Sequence, residues 1–198
     1  MHSEQLHTDS ELLIKIKNND TNALNILFKR YFSVLCYFSF QFVKSRDLTE
    51  EVVSDVFLNI WLKRGSIVIK SSLKAYLFTA VRNQSINYMK KKDYHFEELE
   101  IVDKEGKISS LRADDFLIYK DLENEIENIV QKLPEKRQLI FRMNRFEGLS
   151  YKEISEILSI SINTIQNHMV KAVKFMSKQH AQLKKIISLI PFLTTFWL

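Results

Sequence analysis

The sequence predicts an all-α protein of two small helical domains joined by a flexible acidic linker. Three observations lead there. Turn chemistry is scarce: among 198 residues only Gly65, Gly106 and Gly148 are glycine, and only Pro134 and Pro191 are proline. That is too little for the tight turns of a β-sandwich or barrel. Apolar residues recur at steps of three and four over long stretches, the spacing of a helix face. Charge is laid out in blocks. Lys63 to Lys92 carries eight basic residues and no acid, Asp93 to Glu125 carries eleven acids against four bases, and no acid follows Glu156. A net charge of +5 therefore hides strong local fields, and local fields select partners.

The elements follow in order. Asp20 or Thr21 caps a helix whose stripe is Leu24, Leu27, Phe28, Tyr31, Leu35, Phe38 and Phe42. In the next helix, Asp47 to Arg64, Leu48, Val52, Val56 and Ile60 form one apolar row and Val53, Phe57 and Trp61 its neighbour. Glu50, Glu51, Ser54 and Asn59 fall on the opposite side, with Asp55 at the border, and acids in the first turn suit the positive end of the helix dipole. Gly65 ends this helix. A third runs from about Ser72 to Lys92 with Leu73, Leu77, Val81 and Tyr88 inward, completing a first domain over residues 1–92. Residues 93–116 show no sustained period and read as the linker, with Lys104 to Lys107 (KEGK) as a turn. The second domain, 117–180, opens with a helix from about Leu117 to Leu133, restarts after Pro134, and reaches Phe146 and Gly148. An apolar tail, 181–198, closes the chain.

The chemically specific string is GLSYKEISEILSISINTIQNHM, Gly148 to Met169. Ser150 with Glu153 forms a capping box, so a helix starts at Tyr151, with Ile154, Ile157 and Leu158 as its apolar face. Ser159-Ile160-Ser161 breaks the period. Ser161 then caps a second helix, with Ile165, Met169, Ala172 and Val173 inward. Two short helices around a three-residue turn, with an acid-free outward face, make a helix-turn-helix. The second helix offers Asn163, Thr164, Gln166, Asn167, His168 and Lys171 to a partner. Amides pair bidentately with adenine, and lysine meets guanine or phosphate. At the turn, Ser159 stands where glycine is common, at a cost of about 1 kcal/mol for a left-handed residue. Ser155 takes the small-residue position of the first helix.

Two strings before it, DLTEEVVSDVFLNIW (Asp47 to Trp61) and LKAYLFTAVRNQSINYMKKK (Leu73 to Lys92), resemble region 2 of bacterial RNA polymerase sigma factors of the small extracytoplasmic-function (ECF) group. Leu133-Pro134-Glu135, RFEGLSYKEISEIL and SINTIQNHMVKA resemble region 4. The likeness covers about Asn22 to Ser177 in the expected order. It implies a non-enzymatic specificity subunit that binds core RNA polymerase and directs it to promoter DNA. It implies that residues 1–92 bind core polymerase and recognise and melt the −10 element, and that residues 117–180 recognise the −35 element. On the same resemblance the polar face Glu50, Glu51, Asp55 and Asn59 docks on the polymerase. The basic helix binds and opens the −10 element: Lys74, Arg82, Lys90, Lys91 and Lys92 neutralise phosphates and Asn83 and Asn87 read bases. Tyr76, Phe78 and Tyr88 are stacking candidates, although their helical spacing suits core packing equally, Phe78 above all. The loop Gly65 to Ser72 lies where family members capture a flipped base. Ser161, Asn163, Thr164, Gln166, Asn167, His168 and Lys171 face the −35 element. The acidic linker either threads toward the active-centre channel or acts as a simple tether.

Other readings are weaker. The absence of a Gly-rich phosphate loop excludes the common nucleotide fingerprints. The lone Cys36 excludes a disulfide framework and sits in an apolar helix as a core residue. His2, His7, His95, His168 and His180 have no metal-ligand spacing, so no metal or cofactor is expected. A response-regulator-type factor would need βα alternation in the first 130 residues, which is missing. A helical adaptor without DNA binding is the rival from another class. The N-terminus does not read as a secretory signal, and the apolar stretch Ile186 to Leu198, 13 residues holding Pro191, falls short of the roughly 20 that span a bilayer. A cytoplasmic protein is expected. The tail either packs on the last domain, touches a membrane surface or docks an anti-sigma factor. The family is commonly held by such a factor, often membrane-anchored.

Overall fold

The computed structural model describes residues 7–69, 71–91 and 126–179, and their regular structure is helical throughout. The expected linker 93–116 and tail 181–198 lie outside these residues. The chain divides into two compact units, Met1–Glu100 and Ile101–Leu198.

The first unit holds α1 (Asp9–Lys17), α2 (Thr21–Val43), α3 (Arg46–Leu62) and α4 (Leu73–Lys91). The sequence reading had no α1. Its signal was present all the same: Thr8 and Glu11 form a capping box, the Glu11 amide donating to Thr8 Oγ1 at 3.3 Å and the Thr8 amide to the Glu11 carboxylate at 2.7 Å. Leu12 and Ile16 are fully buried, and Arg30 and the Tyr31 hydroxyl on α2 both donate to Asp9, which fastens α1 in place. Asp20 is the cap of α2, accepting from the amides of Asn22 and Ala23.

Helix α2 is the hub, packed on α1, α3 and α4. Leu27, Leu35 and Phe38 are almost fully enclosed, each contributing about 1.5–3 kcal/mol by leaving water. Phe38 meets Phe78 of α4 edge-on at 4.9 Å, and a buried Ser39–Ser85 hydroxyl bond of 2.9 Å satisfies two polar groups between the same helices. Cys36 is buried as expected, and burial together with nearby Glu50 pushes its thiol up to about 11. In α3 both expected rows pack inward, except that Leu48 and Trp61, at the two ends of the helix, are only half-buried.

In the second unit, residues 126–130 are helical and three helices follow: α5 (Glu135–Arg145), α6 (Tyr151–Leu158) and α7 (Ile162–Gln179). Pro134 is the cap residue of α5, its fixed φ already suited to a helix start. Gly148 takes φ +67°, a left-handed value glycine adopts without strain, and lets the chain turn into α6. The Asn144 amide donates to the Leu149 carbonyl at 2.8 Å and ties that turn down. The inward face of α7 is Ile165, Met169, Ala172 and Met176. Val173, expected inside, is 37 % exposed: the stripe follows steps of three and four from Met169 through Ala172 to Met176, which leaves Val173 at its edge.

Candidate nucleic-acid interface

The helix-turn-helix geometry is set by serine chemistry. Ser150 and Glu153 complete the capping box of α6. Ser159 ends that helix at φ 56°, ψ 41°, the left-handed conformation the turn demands. The Ser155 hydroxyl donates to the Ile160 carbonyl at 2.6 Å, so the small residue of α6 also braces the turn. Ser161 Oγ accepts the Thr164 amide at 3.1 Å and lies 2.8 Å from the Thr164 hydroxyl. Both hydroxyls are thus engaged in holding the start of α7.

Helix α7 exposes Asn163, Gln166, Asn167 and Lys171, and half-buries Thr164 and His168. Thr164, Asn167, His168 and Lys171 line one concavity of about 230 Å³. Burial, with the Lys136, Arg137 and Lys171 charges, holds the His168 imidazole below its ordinary value of 6.5. Val170, 53 % exposed among these polar groups, was missed by sequence reasoning. Its spacing from Gln166 and Asn167 was the available signal, and an exposed methyl pair at such a place suits a thymine methyl.

In the first unit, α4 presents Thr79, Asn83, Asn87 and Lys90 as one exposed stripe, with half-buried Tyr76 at its head. Lys74 is partly covered, its ammonium 5.7 Å from the Tyr31 ring centroid. Arg82 is partly buried, its Nε without a partner, and desolvation lowers its pKa. Lys91 is the last residue of α4, and Lys92 lies outside the described residues. Phe78 is 1 % exposed and belongs to the core. Tyr88 is committed elsewhere: its hydroxyl donates to Asp55 at 2.6 Å and Glu51 at 3.0 Å, and those carboxylates raise its pKa.

The polar face of α3 divides accordingly. Glu50, Glu51 and Asn59 are exposed, whereas Asp55 is half-buried and also accepts from the Gln84 amide at 3.3 Å. Leu58 and Leu62, 54 % and 65 % exposed, continue the Glu51–Asp55 line and were not foreseen. Beyond α3, Arg64 stacks over Trp61 at 4.3 Å and donates to Asn19 Oδ1 at 2.6 Å, fixing where the loop toward α4 begins. In that loop Ile67 is buried and Val68 is 76 % exposed. Among the described residues no helix is long and apolar enough to cross a membrane.

A helical unit with an acid-free polar stripe, followed by a helix-turn-helix unit with an amide-rich second helix, defines a DNA-binding protein of the helix-turn-helix class. Two family models match the chain: "Sigma-70 region 2" over residues 27–94 and "Sigma-70, region 4" over residues 123–176. The chain is 24 % identical over 178 residues to the ECF RNA polymerase sigma-E factor of Escherichia coli (strain K12), covering 86 % of this chain and 92 % of that one. It is 19 % identical to the RNA polymerase sigma-H factor of Pseudomonas aeruginosa, with the same coverage. Among solved structures, the sigma factor RpoE of Bartonella quintana, determined with the anti-sigma factor NepR, matches with a TM-score of 0.51 and 21 % identity, covering 78 % of this chain and 94 % of that one. The chain belongs to the sigma-70 family, in its extracytoplasmic-function group.

Proposed function

We propose that the chain binds core RNA polymerase and directs promoter-specific transcription initiation, with the labour divided between its two units. In the first, α3 docks on the polymerase through Glu50, Glu51, Asp55 and Asn59, joined by Leu58 and Leu62. On α4, Asn83, Asn87 and Lys90 meet the −10 element, and Lys74, Arg82, Lys91 and Lys92 supply further positive charge. In the second, α7 reads the −35 element through Asn163, Gln166, Asn167 and Lys171, while Ser161 and Thr164 set the helix start. One observation carries the reading: two helical units, matched by the region 2 and region 4 models, each with an outward helix face free of acids.

Opening duplex DNA costs about 1.4 kcal/mol per base-pair step in stacking. A subunit that prefers single strand to duplex offsets that cost when mounted on the polymerase, with no nucleotide hydrolysis. We place the protein in the cytoplasm, in a non-enzymatic role. An anti-sigma partner fits as well, since the RpoE structure from Bartonella quintana contains one. The test is gel filtration of the chain with core polymerase, followed by permanganate footprinting of a promoter selected with the complex. Co-elution and reactive thymines in the −10 region are expected. Separate elution and unreactive thymines would refute the reading.

A further inference from the structure

Glu51 and Asp55 stand one turn apart on α3, a spacing at which like charges repel. Asp9 and Glu127 are matched by Arg30 and Arg142. Among the described residues neither Glu51 nor Asp55 forms an ion pair. What draws the two together is α4, which packs on α3. The Tyr88 hydroxyl lies 2.6 Å from Asp55 Oδ2 and 3.0 Å from Glu51 Oε1, so one proton is shared between two carboxylates. The Gln84 amide, one turn earlier on the same face of α4, donates to the same Asp55 oxygen at 3.3 Å. The carboxylates keep the Tyr88 hydroxyl protonated and therefore a donor. Asp55 Oδ1 and Glu51 Oε2 accept no hydrogen bond among the described residues. Glu51 is exposed and Tyr88 half-buried, so this contact lies at the rim of the α3–α4 packing and not in its core.

We propose that Tyr88 is a positioning residue for the polymerase-docking face: its hydroxyl holds Glu51 and Asp55 in one fixed arrangement before the polymerase arrives. This rests on the reading of α3 as the docking helix. A long exposed glutamate loses rotamer freedom when a partner takes hold of it. Fixing it beforehand removes that cost from association. Tyr88 therefore acts through the two acids and not by stacking on a base. Asn83 and Asn87, the residues preceding Gln84 and Tyr88, belong to the exposed stripe of α4. One helix thus offers its stripe to DNA and sets the docking geometry from another face.

The test uses the full chain, labelled at its N-terminus, and purified bacterial core polymerase, with affinity read by fluorescence anisotropy in the absence of DNA. Tyr88→Phe keeps the ring and loses the hydroxyl. It should weaken polymerase binding about three- to tenfold, the range of one hydrogen bond. Glu51→Gln should weaken binding too, and Tyr88→Phe added to Glu51→Gln should cost less than it does alone. Urea unfolding of each variant supplies its folded fraction, which separates a loss of fold from a loss of contact. Unchanged affinity for Tyr88→Phe, or two losses that simply multiply, overturns the proposal. Where Glu51→Gln alone weakens binding, α3 stands as the docking helix without the positioning role. Unchanged affinity for both variants brings down the docking assignment and the proposal together.

Discussion

At the residue scale, the turn of the helix-turn-helix carries a small local cost. Ser159 sits at φ 56° where a side chain is unfavourable. Ser159→Gly should therefore stabilise the second unit by about 1 kcal/mol, seen as a higher urea midpoint with unchanged slope. A lower midpoint would mean that the serine hydroxyl matters more than the backbone strain. His168 makes a pH prediction. Its folded pKa lies below the unfolded value of 6.5, so the unfolded chain binds more protons in the window just below 6.5. Stability is then lost as pH falls through that window, and chemical denaturation at pH 7.5 and 5.5 should show a smaller loss for His168→Gln than for wild type. Cys36 should be inert: with its thiol raised to about 11, iodoacetamide at pH 8 should label it only after unfolding.

At the element scale, α4 separates packing from recognition along one helix. Phe78 faces Phe38, so Phe78→Ala should destabilise the first unit by about 3–5 kcal/mol in a denaturation experiment. A residue that only stacks on bases would leave the midpoint unmoved. On α7, Gln166→Ala should change sequence preference at one position of the upstream element, a difference of about 1–3 kcal/mol between bases, measurable by binding to a substituted duplex series. Much of this was legible in the residues. The capping box Ser150/Glu153, the break at Ser159 and the inward stripe Ile165–Met169–Ala172 are local signals, and local signals survive folding. Helix α1 was legible too, through Thr8 and Glu11, but nine residues carry little periodicity of their own. What the sequence could not show is tertiary. Nothing in the spacing of Tyr88 says that its hydroxyl finds Glu51 and Asp55, since such pairs meet only once helices cross. Val173 illustrates a third limit: at the edge of a stripe, a step of one residue decides between core and solvent.

At the scale of the whole molecule, the order of charge along the chain organises the account. Lys63 to Lys92 is free of acids, Asp93 to Glu125 is strongly acidic, and the chain after Glu156 is again free of acids. Cationic segments that grip phosphate lose affinity steeply with salt. Replacing Lys90, Lys91 and Lys92 together by glutamine should weaken promoter binding by the polymerase complex on all sequences alike and flatten its salt dependence. The Gln166 change, by contrast, should act on sequence and leave the salt slope alone. Identical behaviour of the two would contradict a division between holding and reading. The most direct test of the central claim is run-off transcription with purified bacterial core polymerase over a genomic fragment library, with and without the chain. The account predicts discrete transcript starts that appear only when the chain is added and that share two upstream elements. A transcript population that the chain leaves unchanged would contradict it.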